Sequence, residues 1–455
     1  MRILVTGATG LIGKELGKRL VSNGHELVVV SRNPKKAEFE VPYPARFFAW
    51  KGESEAFPIE ALKDVDVIVN LAGEPIAPGR WTAEKKKRIR DSRVLGTRRI
   101  VEALARLDFR PRALVQASAI GIYGDRDDDV LTEQSAEGEG FLADVVKDWE
   151  AEARAVEKLG LRLAIVRTAM VLSTRGGALA RLLPLFEKGV GGQFASGLQW
   201  MSWIHIEDIV RVYTYCVEYE SARGVFNASA PEPVRNDRFS LLLARALGRA
   251  PFLPVPDTAL KLALGEAATT VLWSQRVLPN RLTELGFQFR YWELEAALRE
   301  LCGPFRDGWR QSVIEQWVAR KPDELFAFFT DERNLEKLTP PSFGLHVIGK
   351  SSPELKEGAE VDFRYKLYGF PMIAQVKIRE WEPGRRFVDE QIKGPFKAWI
   401  HAHEFWPLAG GTLLRDRVRY RVPAGWLGDV LAGWKVENEL KSFFEFRRKR
   451  INEIF

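Results

Sequence analysis

Three glycines near the start of the chain limit what it can fold into more than any other feature. The segment Thr6-Gly7-Ala8-Thr9-Gly10-Leu11-Ile12-Gly13 follows the branched apolar run Ile3–Val5 and opens a helical run over Leu11–Ser22. In a strand–turn–helix unit such glycines have separate tasks. They allow a tight turn, a close approach of backbone to a pyrophosphate, and close packing of helix on sheet. The helix then offers unpaired N–H groups and its positive dipole end to phosphate. Gly7, Thr9, Gly10, Leu11, Ile12 and Gly13 are therefore candidate cofactor contacts.

The runs Leu27–Val30, Val67–Leu71, Leu114–Gln116 and Leu163–Val166 repeat the character of Ile3–Val5. They are short, branched and not alternating, as strands buried on both faces are. Ala83–Leu107 and Phe141–Leu159 have helical spacing between them. This alternation predicts an α/β, doubly wound parallel sheet of the Rossmann type. The second strand ends in Val30-Ser31-Arg32, where NAD-binding domains place an acid for the ribose 2′-hydroxyl. Ser31 and Arg32 suit a 2′-phosphate instead, so NADP(H) is the predicted cofactor.

Residues 172–300 read as a mixed lobe. Helical runs over Ala178–Lys188, Ile206–Tyr219 and Phe239–Leu247 are broken by loops such as Ala230–Val234 and Pro251–Asp257, and the lobe ends on a helix near Trp292–Leu301. Cys302-Gly303-Pro304 marks a boundary. Beyond it, Gln311–Ala319, His346–Lys350, Glu360–Leu367, Ala374–Trp381, Arg386–Gln391, Ala398–Phe405 and Thr412–Val422 read as strands. Helical pieces over Asp323–Phe329 and Glu332–Leu338 follow the first of them, and a long helix runs from about Leu427 to Ile451. A curved antiparallel sheet wrapped around that helix buries both. The expected domains are 1–300 and 304–455.

Composition excludes several classes. The net charge of +7 is spread over both halves, which argues against a nucleic-acid surface. Cys216 and Cys302 lie in apolar or helical settings, so this is no disulfide scaffold. Met1–Val5 run straight into a strand without a charged leader, and no apolar run is long enough to cross a bilayer. A cytoplasmic protein without a membrane span is expected.

The first 300 residues resemble the extended short-chain dehydrogenase/reductase superfamily, and within it the proteins described as epimerase family proteins, with a DUF1731-like end over about 250–300. The segments that carry the likeness include Asn70-Leu71-Ala72-Gly73-Glu74-Pro75-Ile76, Arg80-Trp81-Thr82, Ser118-Ala119-Ile120-Gly121-Ile122-Tyr123-Gly124, Asp148-Trp149-Glu150 and Trp203-Ile204-His205-Ile206-Glu207-Asp208. The resemblance implies that Leu71, Ala72 and Gly73 pass the cofactor's ribose and diphosphate. It puts Ser118 at the catalytic Ser/Thr position and Arg167 and Thr168 beside the nicotinamide. His205 and Asp208 are expected to be structural.

The resemblance also implies a loss. The superfamily's Tyr-x-x-x-Lys pair moves a proton and holds the ribose, a task needing direct reach and a suitable pKa. Aligned on Glu150, those positions hold Leu142 and Val146, with Lys147 one residue off, and Arg93 stands where an Asn is usual. Three readings stay open. Other groups carry catalysis, with Ser118 and Tyr123 as the catalytic candidates and Glu74 and Arg93 behind them. Alternatively, hydride transfer to a small-molecule substrate needs no strong acid. Or the chain is a non-catalytic NADP(H)- and lipid-binding sensor.

Residues 304–455 resemble the START-like helix-grip (SRPBCC) superfamily, through Asn334–Pro341, Phe387–Gln391, Gly394-Pro395-Phe396, His401-Ala402-His403 and Asp416-Arg417-Val418 among others. This implies an α+β cup that holds a hydrophobic ligand. His401 and His403 share one strand face. With Asp389, Gln391 and Asp416 they are candidates for a polar cluster inside the cup, or for a ladder that supports the fold. A His pair alone is not a metal site, and no metal is expected. A homodimer is the open oligomeric expectation.

Overall fold

The computed structural model describes residues 1–77, 79–250, 254–367, 370–423 and 425–455. They divide into two units, Met1–Gly303 and Pro304–Phe455. Of the loop expected over Pro251–Asp257, residues 251–253 lie outside the described residues.

The first unit is built on one parallel sheet. Its strands are β1 (Arg2–Thr6), β2 (Glu26–Ser31), β3 (Arg46–Ala49), β4 (Val67–Asn70), β5 (Ala113–Ala119), β6 (Arg162–Thr168) and β7 (Gly224–Ala228). Their order is β7–β6–β5–β4–β1–β2–β3, and every neighbouring pair is parallel. The order reverses between β1 and β4, and ligands of such sheets bind at the carboxyl ends of the strands there.

The unbroken apolar character of the strands has its reason in this burial. Leu4, Val28, Ile68, Leu114 and Leu163 pack with Ile100, Leu104, Ala153 and Val156 on one face. Ile3, Val5, Val29, Val69 and Val115, which alternate with them, have no exposed surface either. Four long helices follow the strands: α1 (Leu11–Ser22), α2 (Ala83–Ala105), α3 (Phe141–Arg154) and α4 (Ile206–Glu218). α1 packs with α4, and α2 with α3.

Two strands of this sheet escaped the sequence reading, and both are its edges. β3 is four residues long and part-exposed throughout. β7 begins at Gly224 (φ +78°) and carries the buried polar Asn227, so it lacks the branched apolar signature. Cys216 and Cys302 are buried free thiols, and burial pushes both up to about 12.

The second unit holds an antiparallel sheet of β8 (Arg310–Val318), β9 (His346–Lys350), β10 (Glu360–Leu367), β11 (Phe370–Glu382), β12 (Arg386–Lys393), β13 (Ala398–Leu408) and β14 (Gly411–Arg421). The order is β8–β14–β13–β12–β11–β10–β9. Register shifts at Val347/Gly349, Gln375/Val376 and Ile378/Glu380 break the ladder, and such bulges bend a sheet. Helix α5 (Gly425–Ile454) closes the chain. Its Leu440 and Phe444 pack on Val418, Tyr420 and Val422 of the sheet side. Phe326 stands edge-on to Trp381, Phe387 and Phe405 at 5.1, 5.9 and 5.6 Å, so aromatic side chains occupy that part of the interior. Among the described residues, no helix is long and apolar enough to cross a membrane.

Candidate functional site

The loop between β1 and α1 is held by contacts that exclude any side chain larger than hydrogen. Gly7 has φ +69°, and a Cβ there would lie 2.7 Å from the Leu71 carbonyl carbon and oxygen. A Cβ on Gly13 would lie 2.4 Å from the Gly7 oxygen and 2.7 Å from Ala8 Cα. Gly10 is the N-cap of α1 and supplies no side-chain cap, which leaves the first-turn N–H groups for a ligand. Thr9, Leu11 and Ile12 stand part-buried around this turn. Behind it, the Tyr43 hydroxyl donates to the Gly13 carbonyl at 3.3 Å, and the ring fills the space that a Cβ on Gly17 would occupy. Tyr43 and Gly17 carried no sequence signal, because their contact spans two separate elements.

A buried polar chain fixes the floor beneath. Thr6 Oγ1 donates to Asn70 Oδ1 at 2.6 Å and accepts from the Ala72 N–H at 3.2 Å. Asn70 Nδ2 donates to Thr97 Oγ1 and Gln116 Oε1 at 3.1 and 3.0 Å. Trp149 Nε1 donates to Thr97 Oγ1 at 2.9 Å. Leu71 and Ala72 are thereby placed directly against the glycine loop, and Gly73 follows them in the chain. Arg93 lies beneath Gly73 and donates to the Glu74 carbonyl at 2.9 Å. Burial pulls this guanidinium down to about 10, against the Glu74 charge. The Glu74 carboxylate accepts from Lys85 Nζ at 2.7 Å, which lowers its pKa, with Arg88 and Arg32 acting in the same direction. Arg93 and Glu74 are thus both engaged.

At the end of β2, Arg32 is exposed and is followed by exposed Lys35 and Lys36. The Ser31 hydroxyl, proposed from sequence as a phosphate contact, accepts from the Asn33 N–H at 3.3 Å and closes its own turn.

Both catalytic candidates are drawn into one buried network. Ser118 Oγ donates to Glu150 Oε1 at 2.6 Å. Arg167 donates to both Glu150 oxygens at 2.8 Å and to the Tyr123 oxygen at 3.0 Å. The Tyr123 hydroxyl donates to Asn227 Oδ1 at 2.7 Å. Tyr123 has no exposed surface, and burial pushes its phenol up despite Arg167. Burial also works against the Arg167 charge, but Glu150 outweighs it and holds the guanidinium above its ordinary range. The Thr168 hydroxyl donates back to the Val166 carbonyl at 3.3 Å. Val146 is buried, and Lys147 pairs with Asp144 at 3.1 Å. Glu150, used in the sequence reading as an alignment anchor, is the hub of this network.

Comparison with known proteins identifies the family. Residues 3–229 match the NAD dependent epimerase/dehydratase family, and residues 255–301 match a domain of unknown function, DUF1731. The chloroplastic epimerase family protein SDR39U1 homolog of Arabidopsis thaliana is 40% identical over 306 residues, 66% of this chain and 86% of that one. The chain belongs to the epimerase family. Epimerase family protein YfhF of Bacillus subtilis is 37% identical over 302 residues, 66% of this chain and 98% of its own. Human epimerase family protein SDR39U1 (isoform 2), crystallised with NADPH, has a TM-score of 0.60 at 32% identity, over 67% of this chain and 99% of that one. A nucleoside-diphosphate sugar epimerase from Corynebacterium glutamicum has a TM-score of 0.54 at 33% identity, over 67% of this chain and 58% of that one.

In this epimerase family protein the Trp203–Asp208 segment ties the first unit to its own end. Asp208 accepts from the backbone N–H groups of Arg290 and Tyr291 at 2.9 and 2.8 Å. His205 Nδ1 accepts from the Glu207 N–H at 3.1 Å. A second, half-buried carboxylate, Glu133, accepts from the N–H groups of Asn227 and Arg281, while its Oε2 is buried without a hydrogen-bond partner. Burial raises its pKa against those two donors. A carboxyl whose folded pKa is raised contributes stability that is present below its unfolded pKa and lost as pH rises through the folded value. Glu133→Gln is therefore expected to melt progressively higher than the natural chain as pH rises through and above the ordinary glutamate range. Thermal melts across that range check this, and a gap that stays constant with pH would contradict it.

In the second unit, Asp389, His401, His403 and Asp416 come together across β12, β13 and β14. His401 Nε2 and His403 Nδ1 lie 3.0 and 2.8 Å from Asp416 Oδ1. Asp416 also pairs with Arg447 at 3.3 Å. Burial lowers the His401 pKa, whereas Asp389 and Asp416 overcome burial to raise that of His403. Gln391 corrects the expectation for this cluster. Its Nε2 donates to the Phe396 carbonyl at 2.7 Å, so it holds the turn after β12.

Proposed function

We propose that this epimerase family protein binds NADP(H) over the Thr6–Gly13 loop and uses it in hydride transfer to or from a small molecule. The observation that carries the reading is the cradle itself: an uncapped helix N-terminus behind Gly10, with Gly7 and Gly13 packed too tightly for a Cβ. Gly7 to Gly13 would receive the diphosphate, and Leu71, Ala72 and Gly73 would line its ribose side. Exposed Arg32 would meet the 2′-phosphate, with Ser31 shaping the turn that presents it. Bound NADPH supplies the hydride. Ser118, Arg167 and Thr168 stand at the strand ends facing the nicotinamide side in this reading. Tyr123, whose hydroxyl is fully engaged with Arg167 and Asn227, then supports the site rather than transferring a proton.

Nicotinamide absorbance tests the reading, with NADPH offered a panel of small ketones and NADP+ offered a panel of nucleotide sugars. Turnover with any member supports it, and an unchanged nicotinamide spectrum with every member counts against it. Arg32→Asp is expected to lose NADPH affinity by about 10–100-fold while NADH affinity changes little, the effect of one charged hydrogen bond. Equal loss for both nucleotides would place the phosphate elsewhere.

A second reading is favoured by the locking of Ser118 and Tyr123. Here the first unit senses NADP(H), and the second, as a START-like cup, holds a hydrophobic ligand. Linkage then requires each ligand to change the other's affinity by the same factor. A titration of NADPH with and without a fluorescent fatty acid measures it, and independent affinities would exclude coupling.

A further inference from the structure

We propose that Asp389, His401 and His403 form a binding site for one divalent transition-metal ion of the zinc type. The strand register builds the site. Asp389 on β12 is the direct partner of His401 on β13, and His403 lies two residues along the same strand face. Asp389 Oδ2 is 3.7 Å from His401 Nδ1 and 3.4 Å from His403 Nε2. All three donor atoms lie within 4.8 Å of one another. Such spacings are long for hydrogen bonds. They suit donors that share an ion: ligand bonds of about 2.0–2.1 Å at tetrahedral angles put neighbouring donor atoms about 3.4 Å apart.

The remote side of each ring supports the assignment independently. His401 Nε2 hydrogen-bonds to Asp416 Oδ1 at 3.0 Å, and His403 Nδ1 lies 2.8 Å from the same oxygen without hydrogen-bond geometry. Metal-bound histidines commonly turn their other ring nitrogen to a carboxylate, which fixes the tautomer and raises ligand basicity. With its proton on Nε2, held by Asp416, His401 presents its Nδ1 lone pair toward Asp389, a carboxylate that can only accept. Two acceptors then face each other at 3.7 Å beside His403, an arrangement that a cation resolves. Arg447 balances Asp416 at 3.3 Å, and Phe387 stacks on His403 at 4.3 Å between ring centroids. Both histidines are buried, while Asp389 keeps part of its side chain exposed, so the cluster is not sealed. Imidazole with carboxylate suits zinc and its neighbours in the first transition row, and three protein ligands leave a coordination position open.

The competing occupant is a proton shared between His403 and Asp389. The test uses the tag-free full chain, stripped with a chelator and dialysed against limiting Zn(II), with Co(II) as a spectroscopic probe. The expected result is one zinc retained per chain and a Co(II) absorption spectrum of nitrogen and oxygen ligation. Asp389→Asn and His403→Gln should each weaken zinc binding at least as much as loss of a supporting partner does, about 10–100-fold, and Asp416→Asn within that range. His346→Gln, at an exposed histidine, should change nothing. The proposal is overturned if the natural chain retains no zinc, or if Asp389→Asn and His403→Gln retain it as well as the natural chain does.

Discussion

Glu150→Ala is expected to lower the stability of the first unit by about 3–5 kcal/mol, the cost of leaving a buried charge without its partner. Arg167 and Glu150 keep 5% and 4% of their side-chain surface exposed, so water cannot replace the lost carboxylate. The substitution also removes the acceptor for Ser118, and with it the tie from α3 to β5 and β6. Glu150→Gln keeps the shape and one acceptor oxygen but loses the charge, and should fall between the natural chain and the alanine variant. Urea denaturation followed by circular dichroism measures both. A loss below about 1 kcal/mol for Glu150→Ala, the scale of an exposed pair, would show that the network is not a structural hub.

Gly13→Ala should weaken NADPH binding by a factor on the order of 100, the scale of a misplacement of about 1 Å at a precise site. The added carbon would press on the Gly7 carbonyl oxygen and on Ala8 Cα, and both are backbone atoms that cannot swing aside. Either α1 retreats from β1 or the loop opens, and in both cases the N–H groups leave the diphosphate. Gly24→Ala is the control. Gly24 also has positive φ (+82°), but a Cβ there meets nothing within 4 Å. It should cost about 1–2 kcal/mol of stability and leave NADPH binding intact. Calorimetric titration of the two variants separates the effects. Equal affinity for NADPH in Gly13→Ala and the natural chain would contradict the role assigned to the loop.

These expectations show where sequence was informative. The glycine loop was legible because its signal is local: strand, turn and helix follow one another within Arg2–Ser22. The inner strands were legible because burial on both faces leaves a continuous branched run. Edge strands β3 and β7 lacked that run and were missed. In the second unit, turns and alternating strands were readable, including all seven strands of its sheet. The site chemistry was harder, because its partners come from distant segments. Glu150 meets Ser118, Arg167 and, through Arg167, Tyr123, residues that no spacing rule connects. Asp389 was named from sequence with His401 and His403, but only the strand register sets its carboxylate 3.7 and 3.4 Å from their rings. Gln391 fell on the expected strand, but its side chain donates to the Phe396 carbonyl of the following turn.

The central claim is that an NADP(H) cradle lies over β1 and β4. Calorimetric titration of the purified chain, stripped of bound nucleotide, with NADPH and with NADH tests it most directly. Tight binding of NADPH at one site per chain, with NADH bound at least tenfold more weakly, is the predicted result. Failure of the folded chain to bind either nucleotide would contradict it.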